Sequence, residues 1–599
     1  MSPELSQKLS QAEQLLQEGR PQDALPFIAE LMRAESKSPR VWWARATAAL
    51  MMGDSAEAEM ALKRTTDLDA AAPFASASLG DLLSELGRTA EAEAAWREAL
   101  RRDPGFTPAA LSLAEDLLER GLAEDAIKAL PALSAERPDP NVLLLRGRAH
   151  ASLGAEREAL SDLRACVEVS GGAPVALHAL ASALLSIGHM AEAEAAARRA
   201  LTGQPGSPDL LQILGHALQG QDRLEEAQAA FSDAIASQPL HPGAHRDYSQ
   251  IVWMRTGDLA AAVEKLDQAL ELAPGHPALT VVKGKLLEFG GDAEGARALL
   301  RDAADGASAP PYLLCAASQV VLEADAGAAV KYAERAVERS PADAYGRSIL
   351  LQAQLAAGDL EGADASLARL RALAPGDQHG LAYEATLKRL RGEDHCGLYD
   401  YDALVRTFVI ETPEGWPDLG AYLADLKAAL EAIHVNAAHP VGQSLRGGAQ
   451  TNVRLERSQD PAIKAFFQAI RPAVDAYIAG LDESHPAMTD RRAADWRVAG
   501  AWSVRLRSGG RHVDHLHDHG WISSAFYVDL PPAVSGEGNQ GSLRFGKPGT
   551  VTAPELGAEH WIKPQAGMLA LFPSYMWHGT EPFTDERPRL TIAFDVVPA

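Results

Sequence analysis

Prolines, or residues that stand in for them at turns, recur along the first two thirds of the chain every 33 to 35 residues, and this regularity constrains the fold more than any other feature. Most of these breakers are prolines, and the set is Ser36, Ala70, Pro104, Pro138, Gly171, Pro205, Pro239, Pro274, Ser308, Pro341 and Pro375. A second mark keeps the same step and predicts a turn inside each unit, at Gly19, Gly53, Gly87, Gly121, Gly154, Gly188, Gly257, Gly291, Gly358 and Gly392, with Asp222 and Asp325 in the two gaps. Such a period predicts stacked copies of one supersecondary unit.

The stretches between these marks have the apolar spacing of helices, as in residues 180–187 and 191–201. An alanine five residues after the turn, as at Ala193, lets two helices approach closely. Each unit therefore reads as helix, turn, helix and breaker. It resembles the tetratricopeptide repeat, which also places a small residue seven positions before the turn, as at Gly80, Gly147, Gly215 and Gly284. Over residues 1–394, in about eleven units, this resemblance implies a solenoid that binds peptides or proteins.

Composition limits the class of protein. The chain has 599 residues, about four times the common domain size, so we expect several domains or an array beside a domain. Its formal charge of −25 would repel a phosphate backbone, so we expect no nucleic-acid partner. Three distant cysteines argue against a disulfide framework, and there is no apolar run of about 18 residues. We therefore expect a cytoplasmic protein that neither enters a membrane nor is exported.

The repeat pattern stops near residue 395, and six of the ten tryptophans lie beyond that point. Residues 419–433 and 463–478 have helical spacing. Short runs rich in Val, Ile, Phe and Tyr predict strands that begin at Trp502, Trp521, Met568 and Arg589. We therefore predict a second domain over residues 395–599, with helices first and an antiparallel β-core at about 496–599.

Four of the 18 histidines lie within eight positions, directly before a predicted strand. On extended backbone residues i and i+2 point to one side, so His515 and His517 can converge on one metal ion. His578, at the end of a β-like run, is the candidate for a third ligand. His512 and Asp514 form an overlapping pair with the same spacing, and they remain the alternative.

The order of these parts resembles the iron(II)- and 2-oxoglutarate-dependent dioxygenases, which have a double-stranded β-helix (jelly-roll) core. The likeness spans residues 396–599, and its phrases Gly-Trp-Ile-Ser-Ser, Leu-Phe-Pro-Ser-x-x-Trp-His-Gly-Thr and Arg-Leu-Thr-Ile-Ala-Phe-Asp look like those of bacterial oxygenases fused to tetratricopeptide arrays. It implies an α+β domain that holds Fe(II) through His515, His517 and His578. With 2-oxoglutarate as co-substrate, such a domain hydroxylates a substrate and releases succinate and carbon dioxide.

The resemblance also implies roles for residues around the metal. Arg589 is expected to pair with the distal carboxylate of 2-oxoglutarate, and the Thr591 hydroxyl faces the same way. Ser523 and Tyr527 share a strand face, which lines the 2-oxoglutarate pocket in the resembling enzymes; core packing is the alternative. Arg587 competes with Arg589 as the anchor, but a turn-like segment precedes it, so we expect a surface charge.

One departure from the commonest pattern concerns the first ligand pair. Most such oxygenases have His-x-Asp or His-x-Glu, whereas this chain has His515-Leu-His517, which adds one positive charge to the metal centre. We expect His519 in a solvated loop, while Arg446, beside a glycine turn, either binds an anion or supports the turn. The rival class is a scaffold that recruits partners and carries an inactive β-domain. The sequence pattern fits either hydroxylation or demethylation as the reaction, and either a peptide or a small molecule as the substrate. It fits a monomer as well as a dimer.

Overall fold

The computed structural model describes residues 2–69, 71–132, 138–434, 442–451 and 454–599. Ala70, one of the predicted breakers, lies outside these ranges. The chain forms two compact units, Met1–Pro205 and Gly206–Ala599. Within the described ranges, every helix is too short or too polar to cross a membrane.

The first unit is built from helices that pack in consecutive pairs. Proline in the first turn starts several of them, because its missing N–H has no helical partner at that position. The helices in the described part of this unit are α1 (Pro3–Gln17), α2 (Pro21–Ala34), α3 (Pro39–Met52), α4 (Ser55–Leu68), α5 (Phe74–Glu85), α6 (Thr89–Arg102), α7 (Thr107–Glu119), α8 (Ala123–Ala129), α9 (Pro140–Ser152), α10 (Glu156–Val169), α11 (Pro174–Ile187) and α12 (Met190–Gly203).

The second unit begins with further pairs of the same kind and one unpaired helix. These helices are α13 (Pro208–Gln219), α14 (Leu224–Ser237), α15 (Pro242–Thr256), α16 (Leu259–Leu272), α17 (Pro277–Phe289), α18 (Ala293–Ala304), α19 (Pro311–Val321), α20 (Ala326–Arg339), α21 (Ala344–Ala357), α22 (Leu360–Leu373) and α23 (Gln378–Arg391).

The turn inside most pairs uses the left-handed backbone region, which favours glycine. Gly257 and Gly358 have φ values of 67° and 73°. Asp222, in the first gap of the glycine pattern, adopts the same conformation with φ 57°. Asp325, in the second gap, has an extended φ of −154° and instead caps α20, where its carboxylate accepts a 2.9 Å hydrogen bond from the Ala328 N–H. Only Asp222 therefore reproduces the glycine geometry.

The small residue in the first helix of a pair lies against a large side chain of the second. A Cβ atom at Gly215 would lie 2.3 Å from the ring of Phe231, and one at Gly284 would lie 2.7 Å from Leu300. The alanine after the turn is completely buried, as at Ala227. These contacts explain the sequence period, and the predicted tetratricopeptide fold is confirmed.

Both helices and strands follow the repeats, and most of the strands lie toward the C-terminus. The helices described are α24 (Tyr401–Leu404), α25 (Leu419–Ala432), α26 (Pro461–Ala469), α27 (Arg471–Ala479), α28 (Pro486–Thr489) and α29 (Pro532–Ser535), with a 3-10 turn at Leu455–Arg457. The strands described are β1 (Arg406–Val409), β2 (Leu445–Gln450), β3 (Trp496–His512), β4 (Ile522–Asp529), β5 (Leu543–Phe545), β6 (His560–Ile562), β7 (Met568–Pro573), β8 (His578–Thr580) and β9 (Arg589–Pro598).

Two antiparallel sheets form the β-core of this region. In the described residues, one sheet has the strand order β1-β7-β4-β9-β3-β2 and the other has the order β6-β5-β8. The predicted class, an α-helical solenoid followed by an α+β domain with a β-helix core, is confirmed. The helical spacing over 463–478 belongs to two helices, α26 and α27, because Pro472 in the first turn of α27 cannot donate to the preceding helix.

The last repeat helix and the sheets share one hydrophobic core. Trp577, directly before β8, donates its indole N–H to the Thr386 hydroxyl of α23 at 3.2 Å. Its ring centroid lies 5.9 Å from that of Tyr383. Arg389 of α23 pairs with Glu559 at 3.0 Å. Side chains of the last repeat helix therefore pack directly against the β-region that follows residue 395. The domain division between residues 394 and 395 stays a prediction.

We predict that Gly215→Val lowers the free energy of unfolding of residues 206–599 by about 1–3 kcal/mol, because the Phe231 ring occupies the space that the new side chain needs. Urea titration of the full chain, followed by tryptophan fluorescence, measures this change. Gly376→Val is the matched control, since nothing lies within 4 Å of a Cβ atom there. Equal effects of the two substitutions would contradict the packing argument.

Candidate metal centre

Three histidines from two segments of the chain meet in the second unit. His515 and His517 lie in extended backbone between β3 and β4, and His578 begins β8. The His515 N–H donates to the His578 carbonyl at 2.9 Å, and the His578 N–H donates back at 3.0 Å. The potential ligand atoms of the three side chains lie within 4.8 Å of one another, and the Nε2 atoms of His515 and His517 are 3.3 Å apart.

Hydrogen bonds to backbone carbonyls fix two of these rings. His515 Nδ1 lies 2.8 Å from the Val513 carbonyl oxygen, and His578 Nδ1 lies 2.9 Å from that of Met576. A carbonyl can only accept, so Nδ1 carries the proton in both rings. The lone pair of each neutral ring is then on Nε2, the nitrogen that can bind a metal ion.

A carboxylate holds the third ring. His517 Nδ1 lies 2.5 Å from Oδ1 of Asp595 on β9. The completely buried Ser523 donates its hydroxyl to the same oxygen at 2.7 Å. Carboxylates in this position orient a metal-binding histidine and increase its basicity. The structure thus gives Ser523 a contact behind His517, and its role in the 2-oxoglutarate pocket stays a prediction.

The alternative ligand pair is divided between two environments. Arg544 of β5 donates to both carboxylate oxygens of Asp514, at 2.8 and 2.7 Å. His512 instead lies beside His515, with ring centroids 5.8 Å apart, and its Nδ1 is 2.9 Å from the Ser444 hydroxyl. The group of potential ligands brought together consists of His515, His517 and His578. That these three bind the metal stays our proposal.

The histidines line a cavity of about 580 Å³, whose wall includes Arg589, Thr591 and Asp595 from one face of β9. Arg589 is 3% exposed, and its Nε and Nη1 atoms have no hydrogen-bond partner in the described part of the chain. The guanidinium lies 5.0 Å from the ring centroid of the buried Tyr527, whose hydroxyl also has no partner there. A buried guanidinium with free N–H groups favours the binding of an anion.

The other candidate residues are not part of the histidine cluster in the described residues. Arg587 is exposed and pairs with Asp529, in agreement with the expected surface charge. His519 is exposed and lines the cavity. Arg446 also lines the cavity, from β2.

Burial keeps most of this histidine cluster neutral. It lowers the pKa of His515 to about 3, with a further contribution from the nearby His517. Burial, followed by repulsion from His515, lowers the pKa of His578 well below its ordinary value. Burial also lowers the pKa of His517, but the charge and hydrogen bond of Asp595 outweigh it and raise this pKa overall. The neutral imidazoles of His515 and His578 are in the protonation state that binding to a metal requires.

Sequence reasoning missed two residues of this cluster. Asp595 had a signal, because it follows Arg589 and Thr591 at even spacing on one strand and therefore shares their face. Ser444 had none. Its hydroxyl lies 3.2 Å from Nε2 of His515, and this contact depends on the pairing of β2 with β3, which the sequence pattern does not define.

Comparison with family models identifies both parts of the chain. Residues 500–595 match the family described as "Putative 2OG-Fe(II) oxygenase". Residues 83–149, 214–277 and 254–312 match tetratricopeptide-repeat models. The chain joins tetratricopeptide repeats to a 2OG-Fe(II) oxygenase-type domain. A search of curated proteins finds no match.

A comparison with solved structures gives matches of low sequence identity and low TM-score. Yeast Tom70 is 13% identical with a TM-score of 0.33, covering 65% of this chain and 96% of that chain. TTC0263, a repeat protein of Thermus thermophilus, is 23% identical with a TM-score of 0.27, covering 31% of this chain and all of the other. Human IFIT1, solved as a dimer with m7Gppp-AAAA, is 17% identical with a TM-score of 0.34, covering 61% of this chain and 88% of that chain.

We predict that His515→Ala, His517→Ala and His578→Ala each weaken Fe(II) or Co(II) binding by more than about 100-fold, because each removes one of three nitrogen donors. His517→Asp should retain the metal, since it creates the commoner two-histidine, one-carboxylate set. Calorimetry and the visible spectrum of the Co(II) protein measure both effects.

Asp514→Asn is the control for these variants. It should keep metal affinity and lower the free energy of unfolding by about 1–3 kcal/mol, because Arg544 loses a charged partner. If Asp514→Asn abolished metal binding while His517→Ala left it intact, His512 and Asp514 would be the ligand pair.

We predict that the metal-free protein loses stability as the pH falls below 6.5. The folded-state pKa of His515, about 3, lies below the ordinary value of 6.5, so at intermediate pH the unfolded chain binds a proton that the folded chain does not. From pH 6.5 to 4.5 this single group accounts for about 2 kcal/mol. Urea unfolding with a chelator should therefore show a smaller loss for His515→Gln than for the wild type. If the wild type and His515→Gln lost the same free energy of unfolding between pH 6.5 and 4.5, the low pKa assigned to His515 would be contradicted.

Proposed function

We propose that the protein is an Fe(II)- and 2-oxoglutarate-dependent dioxygenase that hydroxylates a peptide or protein bound by the repeats. The observation that carries the proposal is the convergence of His515, His517 and His578 in a cavity that also contains Arg589, whose Nε and Nη1 atoms have no hydrogen-bond partner among the described residues. The family match over residues 500–595 supports the same chemistry.

The residues present fit both the metal and the co-substrate. Three nitrogen donors on one side of an Fe(II) ion leave positions for a chelating 2-oxo acid and for dioxygen. The free N–H groups of Arg589 suit the distal carboxylate of 2-oxoglutarate, and Thr591 lies two residues further along the same strand face. When bound, the iron and 2-oxoglutarate supply the oxidation, in which one oxygen atom of O₂ enters succinate and the other enters the substrate.

The protein's own residues orient these groups. Asp595 accepts the Nδ1 proton of His517 and so directs Nε2 toward the other two rings. The Tyr527 ring packs against the Arg589 guanidinium and limits its movement. Asp595 also supplies a negative charge one layer behind the metal position. In this proposal Asp595 offsets part of the positive charge of the metal, which the carboxylate of a His-x-Asp pair would neutralise by binding the metal directly.

In this proposal the repeats supply the binding surface for a polypeptide substrate. The three described cysteines are free thiols, which fits the predicted cytoplasmic location. The rival function is a scaffold with an inactive β-domain. Anaerobic addition of Fe(II) and then 2-oxoglutarate to the full chain separates the two. An oxygenase should develop a 2-oxoglutarate-dependent visible band and then convert 2-oxoglutarate into succinate, whereas a scaffold should take up no iron and show no band.

We predict that Arg589→Gln raises the KM for 2-oxoglutarate by about 100-fold, because the buried charge-assisted pair is lost. Its affinity for Fe(II) should be unchanged. Arg587→Gln is the matched control, since that exposed arginine pairs with Asp529 and should leave both constants at wild-type values. If the KM for 2-oxoglutarate rose only in the Arg587 variant, Arg587 and not Arg589 would be the anchor of the co-substrate.

A further inference from the structure

A second arginine of the cavity, Arg446, is held in one orientation. Its Nη1 atom donates to the carbonyl oxygens of Gln443 and Leu445, at 2.7 and 2.9 Å. Its guanidinium carbon lies 4.7 Å from the ring centroid of Phe289, at the end of repeat helix α17. A β-bulge follows Arg446 in β2, and bulges re-aim side chains near functional sites. Both Arg446 and Phe289 line the cavity.

Arg446 has no acidic partner at ion-pair distance in the described part of the chain. The hydrogen bonds of its guanidinium there are the two from Nη1 to carbonyl oxygens, so Nε and Nη2 remain free to donate. Glu288 favours its charged form from a greater distance, while burial lowers the pKa of Arg446. A fixed, partly buried cation with free N–H groups is suited to bind a carboxylate.

The carboxylates that line the cavity lie against residues other than Arg446. Under the proposed function Arg589 pairs with 2-oxoglutarate, and Asp595 is already engaged by His517. Asp518, which also lines the cavity, lies 3.6 Å from His379 of α23. Glu288 acts on Arg446 only from beyond ion-pair distance, so in the described residues neither the protein nor the co-substrate supplies a carboxylate in direct contact with it.

We propose that Arg446, supported by Phe289 from the repeats, selects a substrate that carries a carboxylate beside the bond to be oxidised. The inference rests on the proposed function and adds a substrate class to it. The carboxylate belongs either to an acidic residue of a peptide or to a small organic acid. In both cases Arg446 is a specificity-determining residue, and Phe289 is a positioning residue that links the repeats to the choice of substrate.

The test uses the full chain loaded with Fe(II) and 2-oxoglutarate. The probes are two peptide sets with identical random flanks, one centred on Asp or Glu and the other on Asn or Gln, together with free aspartate and glutamate. Succinate formation and the addition of one oxygen atom, measured by mass spectrometry, are the readouts. We expect the kcat/KM of acidic probes to exceed that of amide probes by about 10- to 100-fold. Turnover of the peptides or of the free acids identifies the source of the carboxylate.

Arg446→Gln should remove this preference by raising the KM for acidic probes, with kcat, Fe(II) affinity and the KM for 2-oxoglutarate unchanged. Arg446→Lys should restore part of it, because the charge remains while the stacked, planar donor is lost. Arg511→Gln is the matched control: Arg511 is the exposed cross-strand neighbour of Arg446 in the register of β2 and β3. It should behave as the wild type.

Each of these results would overturn the assignment of Arg446: equal turnover of acidic and amide probes, an Arg446→Gln protein with wild-type preference, or a raised KM for 2-oxoglutarate in that variant. A wild-type protein that binds iron and 2-oxoglutarate but discriminates among none of the probes also overturns it. Failure of the wild type to bind iron and 2-oxoglutarate would instead reject the proposed function itself, so the two failures are distinguishable.

Discussion

The two backbone hydrogen bonds between His515 and His578 are the constraint on which the rest of the site depends. They join a segment that follows β3 to the start of β8, more than sixty residues later in the chain. Because backbone rather than side-chain atoms make this link, it fixes where both Cα atoms lie before any metal is present. The hydrogen bonds at Nδ1 then only have to set the rotation of each ring. A site arranged in this way loses little conformational entropy when it binds a ligand.

Charge distribution is the second organising factor. The cluster places three imidazoles where related oxygenases commonly have two and a carboxylate, and it places Asp595 directly behind one of them. A carboxylate in the outer layer modulates the metal through the ring instead of binding it. Such a centre would be more electron-poor than the commoner type. This increases its attraction for anionic ligands, in keeping with two arginines in the same cavity.

Much of the fold and part of the site could be predicted from the sequence, for physical reasons that differ between residues. Left-handed turn glycines and buried alanines recur in most repeats because local geometry requires them, so the period alone defines the helix pairs. His515 and His517 were recognisable because even spacing on extended backbone places side chains on one side. Ser444 and Phe289 were not, since their positions depend on strand register and on the packing of a repeat helix against the β-core, which are non-local.

The shared core of α23 and the sheets has a consequence for how such proteins can diversify. Trp577, one residue before His578, is packed against Tyr383 and hydrogen-bonded to Thr386. Helix α23 is thus part of the hydrophobic core of the oxygenase-type domain, so it cannot be exchanged without disturbing that core. Recombination that replaced the array would have to retain this helix, so sequence drift should be slow in α23 and faster in the preceding repeats. An engineered fusion of this oxygenase-type domain to another module should therefore begin upstream of Gln378.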